Sequence, residues 1–242
     1  MNNAKAFHKA VQEICRSYGF ISRGNALFRI YGDGVLQVVN SEKIRHWNEY
    51  DIYFGLFSMY GELRAEWFTA REVFTRYPVL SFIGKRSAVY LENQGDYYTT
   101  GIVPAEKQFD ALENMVIPFL NSITTQDLLA QSLCRLDEMM FSKIIWNDSI
   151  KFAPFLHSGN RDMASKVIQS ILDQHSEAAE HKRQAMTEQD FQNYLTELQV
   201  EDRPYYRMLA LAQDGDEKSI QEYLETNCSK NREYARFILR AK

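Results

Sequence analysis

The sequence predicts an α+β fold: an antiparallel β-sheet meander packed by helices, followed by an all-α C-terminal helical extension. Three observations predict it. Apolar residues alternate at period two through much of residues 20–60, as strands require. Helical spacing precedes that stretch and returns from Pro104 onward. Glycine-rich turn signals separate the strand-like runs, and runs of strands followed by runs of helices are the mark of this class. The shift in composition near residues 120–135 divides the chain into an α+β domain over residues 1–135 and an all-α region of helical hairpins over residues 136–242.

The first element is a helix. Phe7, Val11, Ile14, Cys15 and Tyr18 fall on one apolar stripe, and Gly19 follows as a natural C-terminal stop. In "NALFRIY" the period changes, so that Leu27, Arg29 and Tyr31 share one face while Ala26, Phe28 and Ile30 share the other. "GDG" at residues 32–34 supplies positive φ for a tight hairpin, predicting antiparallel pairing of residues 26–31 with 35–40. Residues 50–60, "YDIYFGLFSMY", give a third strand, with Gly55 as a candidate bulge or close-contact point. "AEWFTAREVFTRYP" reads equally as strand or short helix, closed by Pro78. "AVYLENQGDYYTT" reads as a further hairpin turning at residues 93–95.

Beyond Pro104, Phe109, Leu112, Val116 and Phe119 form a helical stripe. "TTQD" reads as a capping box, with Thr124 as the cap and Asp127 as its reciprocal partner, ahead of Leu128, Leu129, Leu133 and Leu136. "FLHSGNRDMASKVIQSIL" and "LALAQDGDEKSIQEYL" share a form: an apolar helix end, a glycine turn and a second helix. Two copies describe antiparallel helix pairs rather than a solenoid.

The 242 residues are 45% hydrophobic and 13% aromatic, enough for a substantial core and an aromatic-rich sheet. The net charge of −4 argues against an electrostatic nucleic-acid binder. Residues 1–120 are neutral, with 13 basic and 13 acidic side chains, so the whole deficit lies in residues 121–242. That asymmetry suggests an acidic surface, including Asp214, Asp216, Glu217, Glu222 and Glu225, that would steer toward a basic partner, against the alternative that these carboxylates only solubilise helix surfaces. No signal peptide or membrane-length apolar run is evident, and three widely spaced cysteines suit neither a disulfide framework nor zinc, so a cytoplasmic location is expected.

No phosphate loop, nucleophile elbow or zincin helix occurs. "DGDEKSIQEYLE" places Asp214, Asp216 and Glu225 at calcium-loop positions 1, 3 and 12, but Lys218 and Ser219 occupy places that need an oxygen ligand and glycine. Asp214 and Asp216 are better read as turn and cap residues. His175 and His181 point apart on a helix, and Glu177 stands at pairing distance from His181. No metal or cofactor is expected. The candidate partner-binding residues are Arg23 and Arg29 flanking the first strand of the hairpin, His46 and Trp47 in a loop, and Tyr97 and Tyr98 in the late hairpin. For Arg23 and Arg29 the competing expectation is a salt-bridged edge or a solvated face.

The order of motifs, a helix, then "GFISRGNALFRI", "VLQVVNSEK", "YDIYFGLF", "GDYYTTG" and "VIPFLNSITTQDLL", resembles the bacterial family called domain of unknown function 4304 over about residues 5–135. The matching positions are Gly19, Phe20, Arg23, Gly24, Phe28 and Arg29 at the entry, Val39 and Asn40 on the second strand, Asp96 and Tyr97, and Pro118, Phe119 and Leu120. The chain departs from that pattern at residues 41–43 and at Tyr97, where the family commonly carries Trp. The resemblance implies a cytoplasmic protein that binds and neutralises a protein toxin, an immunity protein without catalysis. The alternative is a small-molecule binder or enzyme using the sheet face through Arg23, His46 or Tyr97. A third reading is a scaffold assembled through the helical half, and a homo-oligomer fits any of these.

Overall fold

The computed structural model describes residues 4–43, 50–68, 77–79, 105–139 and 149–240. They fall into two compact units. A sheet unit holds the described residues within Met1–Met59, Leu63–Ser142 and Ser229–Lys242; a helical unit holds those within Tyr60–Glu62 and Lys143–Cys228. The architecture is the α+β meander with helical extension that the alternating and helical periods predict.

In the sheet unit, α1 (Ala4–Ser17) ends where the apolar stripe meets Gly19. Gly19 adopts φ +82° and donates to Arg16, while Phe20 donates to Cys15 across five residues. This double closure satisfies the last helical carbonyls and buries Phe20 against the core. Strands β1 (Ile21–Arg23), β2 (Ala26–Tyr31), β3 (Val35–Lys43), β4 (Tyr50–Ser58) and β5 (Tyr77–Pro78) follow as an antiparallel meander in sequence order. The expected hairpin is present, from Ala26 opposite Asn40 to Tyr31 opposite Val35. Pairing of β3 with β4 runs unbroken from Val35–Ser58 to Lys43–Tyr50, so the bulge anticipated at Gly55 is absent; Gly55 lies directly opposite Val38. The hairpin expected near residues 88–100 lies outside the described residues.

One sheet face carries Leu27, Arg29, Gln37, Val39, Ser41, Ile52, Phe54 and Leu56. It packs on α1, on α2 (Ala105–Ala111) and on α3 (Ile117–Ser122) and α4 (Gln126–Met139). Between α2 and α3, residues Leu112–Val116 form a π-helical turn. Pro118 explains it: lacking an N–H and clashing with the carbonyl four residues back, it disfavours a regular α-turn there. The widened turn lets Leu112, Val116, Ile117 and Leu120 all face the core, a broader stripe than Phe109, Leu112, Val116 and Phe119. The opposite sheet face carries Phe28 and Phe57. It is covered by a short 3-10 turn (Ala65–Phe68) and by α9 (Arg236–Leu239): Phe28 packs on Phe68 and Phe237, and Phe57 on Trp67. The chain's last helical residues thus complete the core of the sheet unit.

The helical unit contains α5 (Ser149–His157), α6 (Arg161–Arg183), α7 (Glu188–Asp214) and α8 (Glu217–Tyr234) as far as Cys228. Short connections make α5 and α6, and α6 and α7, antiparallel neighbours. Gly159, at φ +77°, closes α5 as Gly19 closes α1, and the Asn160 side chain caps α6 by accepting from Met163. Thr187 caps α7, and Asp216 caps α8 through the Ser219 N–H at 2.7 Å. Asp216 therefore serves as a cap, as its place after the turn suggests.

Candidate functional site

Of the six residues nominated from the sequence, His46, Trp47, Tyr97 and Tyr98 lie outside the described residues. Arg23 is exposed on β1, its guanidinium 4.7 Å from the centre of the Phe237 ring. The outer face of β1 and the C-terminal α9 are therefore joined by a cation–π contact.

Arg29 corrects both sequence expectations: it is neither solvated nor available to a partner, with only 6% of its surface exposed. Its Nε donates to Gln37 Oε1 at 3.0 Å, its Nη1 to the Tyr18 carbonyl at 2.8 Å, and its Nη2 to Asn121 Oδ1 at 2.8 Å. The guanidinium plane sits over the rings of Phe20 and Tyr31 at 4.4 and 4.5 Å. No carboxylate among the described residues pairs with it. The compensation comes from neutral acceptors and from two helix C-termini: α1 offers the Tyr18 carbonyl, and the Leu120 carbonyl of α3 accepts from Gln37 at 2.7 Å. Burial lowers the pKa of Arg29, and burial pushes the neighbouring Cys15 thiol up to about 12, partly offset by the guanidinium. This cluster is a lock between sheet and helices, and its polar atoms are consumed internally.

The same seam continues to the hairpin tip. Asp33 donates its N–H to the Thr124 carbonyl at 2.7 Å, and Gln126 Nε2 donates to the Asp33 carbonyl. Thr124 therefore docks the hairpin; the cap of α4 is the next residue, Thr125, whose Oγ1 accepts from Leu128 at 3.3 Å. At the other end of β3, His8 Nδ1 and Ser41 Oγ are hydrogen-bonded. Burial lowers the His8 pKa, which favours a neutral ring. Ser41 is only 1% exposed, so its hydroxyl is a satisfied core group and not an accessible nucleophile.

In the helical unit, His175 of α6 donates through Nδ1 to the buried carboxylate of Asp202 on α7 at 2.6 Å, with the Tyr205 ring edge-on to the imidazole. Sequence spacing could not find this pair, because its members are 27 residues apart. His181 is exposed in the last turn of α6 and makes no ion pair with Glu177. Arg161, at the start of α6, donates to the Ala212 and Gln213 carbonyls at 2.8 and 2.9 Å. It thereby neutralises the negative end of α7 and couples the two glycine turns that the sequence pairs as similar. Among the described residues, no three His, Cys, Asp or Glu side chains gather as metal ligands would.

The outer face of α7 is of another kind. Tyr206 and Val200 are 57% and 54% exposed, the most exposed large hydrophobic side chains among the described residues. They flank Arg203, Pro204 and Arg207, all exposed. Pro204 sits inside the helix, so the Val200 carbonyl lacks its usual intrahelical donor. The signal in the sequence was the run "RPYYR" inside an otherwise helical pattern, where a proline interrupts and arginine and tyrosine crowd together. No protein-family model, curated protein or solved structure matches the chain.

Proposed function

We propose that the chain is a non-catalytic protein-binding module that receives its partner on the outer face of α7. The observation that carries this reading is the joint exposure of Val200 and Tyr206 beside two arginines. Tyrosine and arginine dominate interface hot spots, and a large apolar side chain left in water is stabilised when a partner covers it. The polar groups that invited a chemical reading support it too. Arg29 and Asp216 each hold the fold together. With the resemblance to domain of unknown function 4304, the partner is a protein toxin met in the cytoplasm, which binding neutralises.

The test uses the full chain, purified from its host with whatever co-purifies in stoichiometric amount. The double variant Val200→Ser/Tyr206→Ala should lose that partner while its circular dichroism spectrum stays unchanged. Charge reversal at Glu217 and Glu222 on α8 should leave the complex intact. Loss on the α8 change alone would instead point to the acidic surface and a basic partner.

A further inference from the structure

Arg203 and Arg207 stand one helical turn apart on α7, and both are exposed. Like charges at that spacing repel and weaken a helix. The residues three and four positions from each arginine are Gln199, Val200, Pro204, Tyr206, Ala210, Leu211 and the other arginine, none of them acidic. No ion pair or hydrogen bond among the described residues engages either guanidinium. Elsewhere the chain does give arginines such partners: Arg236 pairs with Glu233, and Arg161 with two helix-end carbonyls. One turn of α7 thus combines repelling charges, a proline inside a helix, a carbonyl without its usual intrahelical donor and exposed apolar side chains. Departures from local stability rules that coincide in this way mark functional surface.

We infer that this turn binds an acidic segment of a partner protein. Two carboxylates of that segment would take the two guanidinium forks, about 5–6 Å apart along the helix, with an apolar side chain laid between Val200 and Tyr206. The inference rests on the proposed partner surface and adds the chemistry of what it recognises. A nucleic acid fits less well. Its continuous phosphate backbone would run past Glu197, Glu201 and Asp214, exposed on the same helix of a chain whose net charge is −4.

The experiment is fluorescence anisotropy of the full chain with a labelled peptide of repeating Glu-Leu-Leu-Glu, beside its Gln-for-Glu counterpart and a single-stranded oligonucleotide. Saturable binding of the Glu peptide is expected, weakened by rising salt and by about tenfold for each arginine removed in Arg203→Gln and Arg207→Gln. The Gln variants keep helix propensity, so a loss of binding with an unchanged helical spectrum supports the inference. It is overturned by absent or salt-insensitive binding, by equal binding of the Gln peptide, or by tighter binding of the oligonucleotide. If Val200→Ser/Tyr206→Ala releases the native partner while the arginine variants retain it, the acidic chemistry fails and the protein-binding surface stands.

Discussion

A buried guanidinium without a carboxylate is costly unless every donor is used, and Arg29 uses its donors on Gln37, the Tyr18 carbonyl and Asn121. Arg29→Ala would leave those acceptors unpaired in the core. We expect a loss of about 3–5 kcal/mol of unfolding free energy, read from urea denaturation. Arg29→Lys keeps the charge but not the planar fork, and should cost about 2 kcal/mol. Cys15 gives a pH test. Its thiol is held up to about 12 in the fold against an ordinary value of 9.0, so the unfolded chain loses that proton first as pH rises. The contribution is fully present below pH 9 and is lost progressively between 9 and 12. At about pH 10.5 the wild type should have lost on the order of 2 kcal/mol on this account relative to Cys15→Ala, each compared with its own stability at about pH 8. Equal pH slopes in the two proteins would remove the thiol from the account.

Among the elements, the β2–β3 hairpin has a turn fixed by tertiary contact as well as by local chemistry. At Gly32, φ is +53° and an added Cβ would lie 2.1 Å from the Thr124 carbonyl oxygen. At Gly159, φ is +77° but nothing lies within 4 Å of such an atom. Gly159→Ala should therefore cost only the left-handed backbone penalty, about 1–2 kcal/mol. Gly32→Ala must in addition displace the α3–α4 connection and should cost at least about twice as much. Thermal unfolding of the pair decides this, and equal losses would mean that the hairpin tip is not docked on Thr124. The hairpin itself was legible because alternation and "GDG" turn chemistry agree. The cap of α4 was misplaced by one residue because Thr124 and Thr125 are chemically equivalent, and only the docking contact distinguishes them.

For the whole molecule, what the sequence conveyed was the α+β class, the meander and the pair of similar glycine turns, all of which rest on local periodicity. It did not convey which side chains are enclosed. Arg29 looks like a surface residue in "LFRIY" because its burial depends on Asn121, 92 positions away. The α7 face was marked in the sequence by "RPYYR", but its exposure was not legible, because exposure is set by which helices pack together and α7 buries only Phe191, Asp202, Met208 and Ala212. The acidic side chains counted in residues 121–242 also divide once placed. Asp214, Asp216, Glu217, Glu222 and Glu225 are all exposed, but Asp216 is engaged as the cap of α8 and Glu225 accepts from Gln221.

The central claim is that α7 carries the partner surface, and amide hydrogen exchange of the chain with and without its co-purified partner tests it most directly. The account predicts slowed exchange within residues 196–210, centred on the turn from Val200 to Arg207, where Pro204 has interrupted the helical hydrogen bonds. Slowed exchange confined to the strands of the sheet unit, with α7 unchanged, would contradict it.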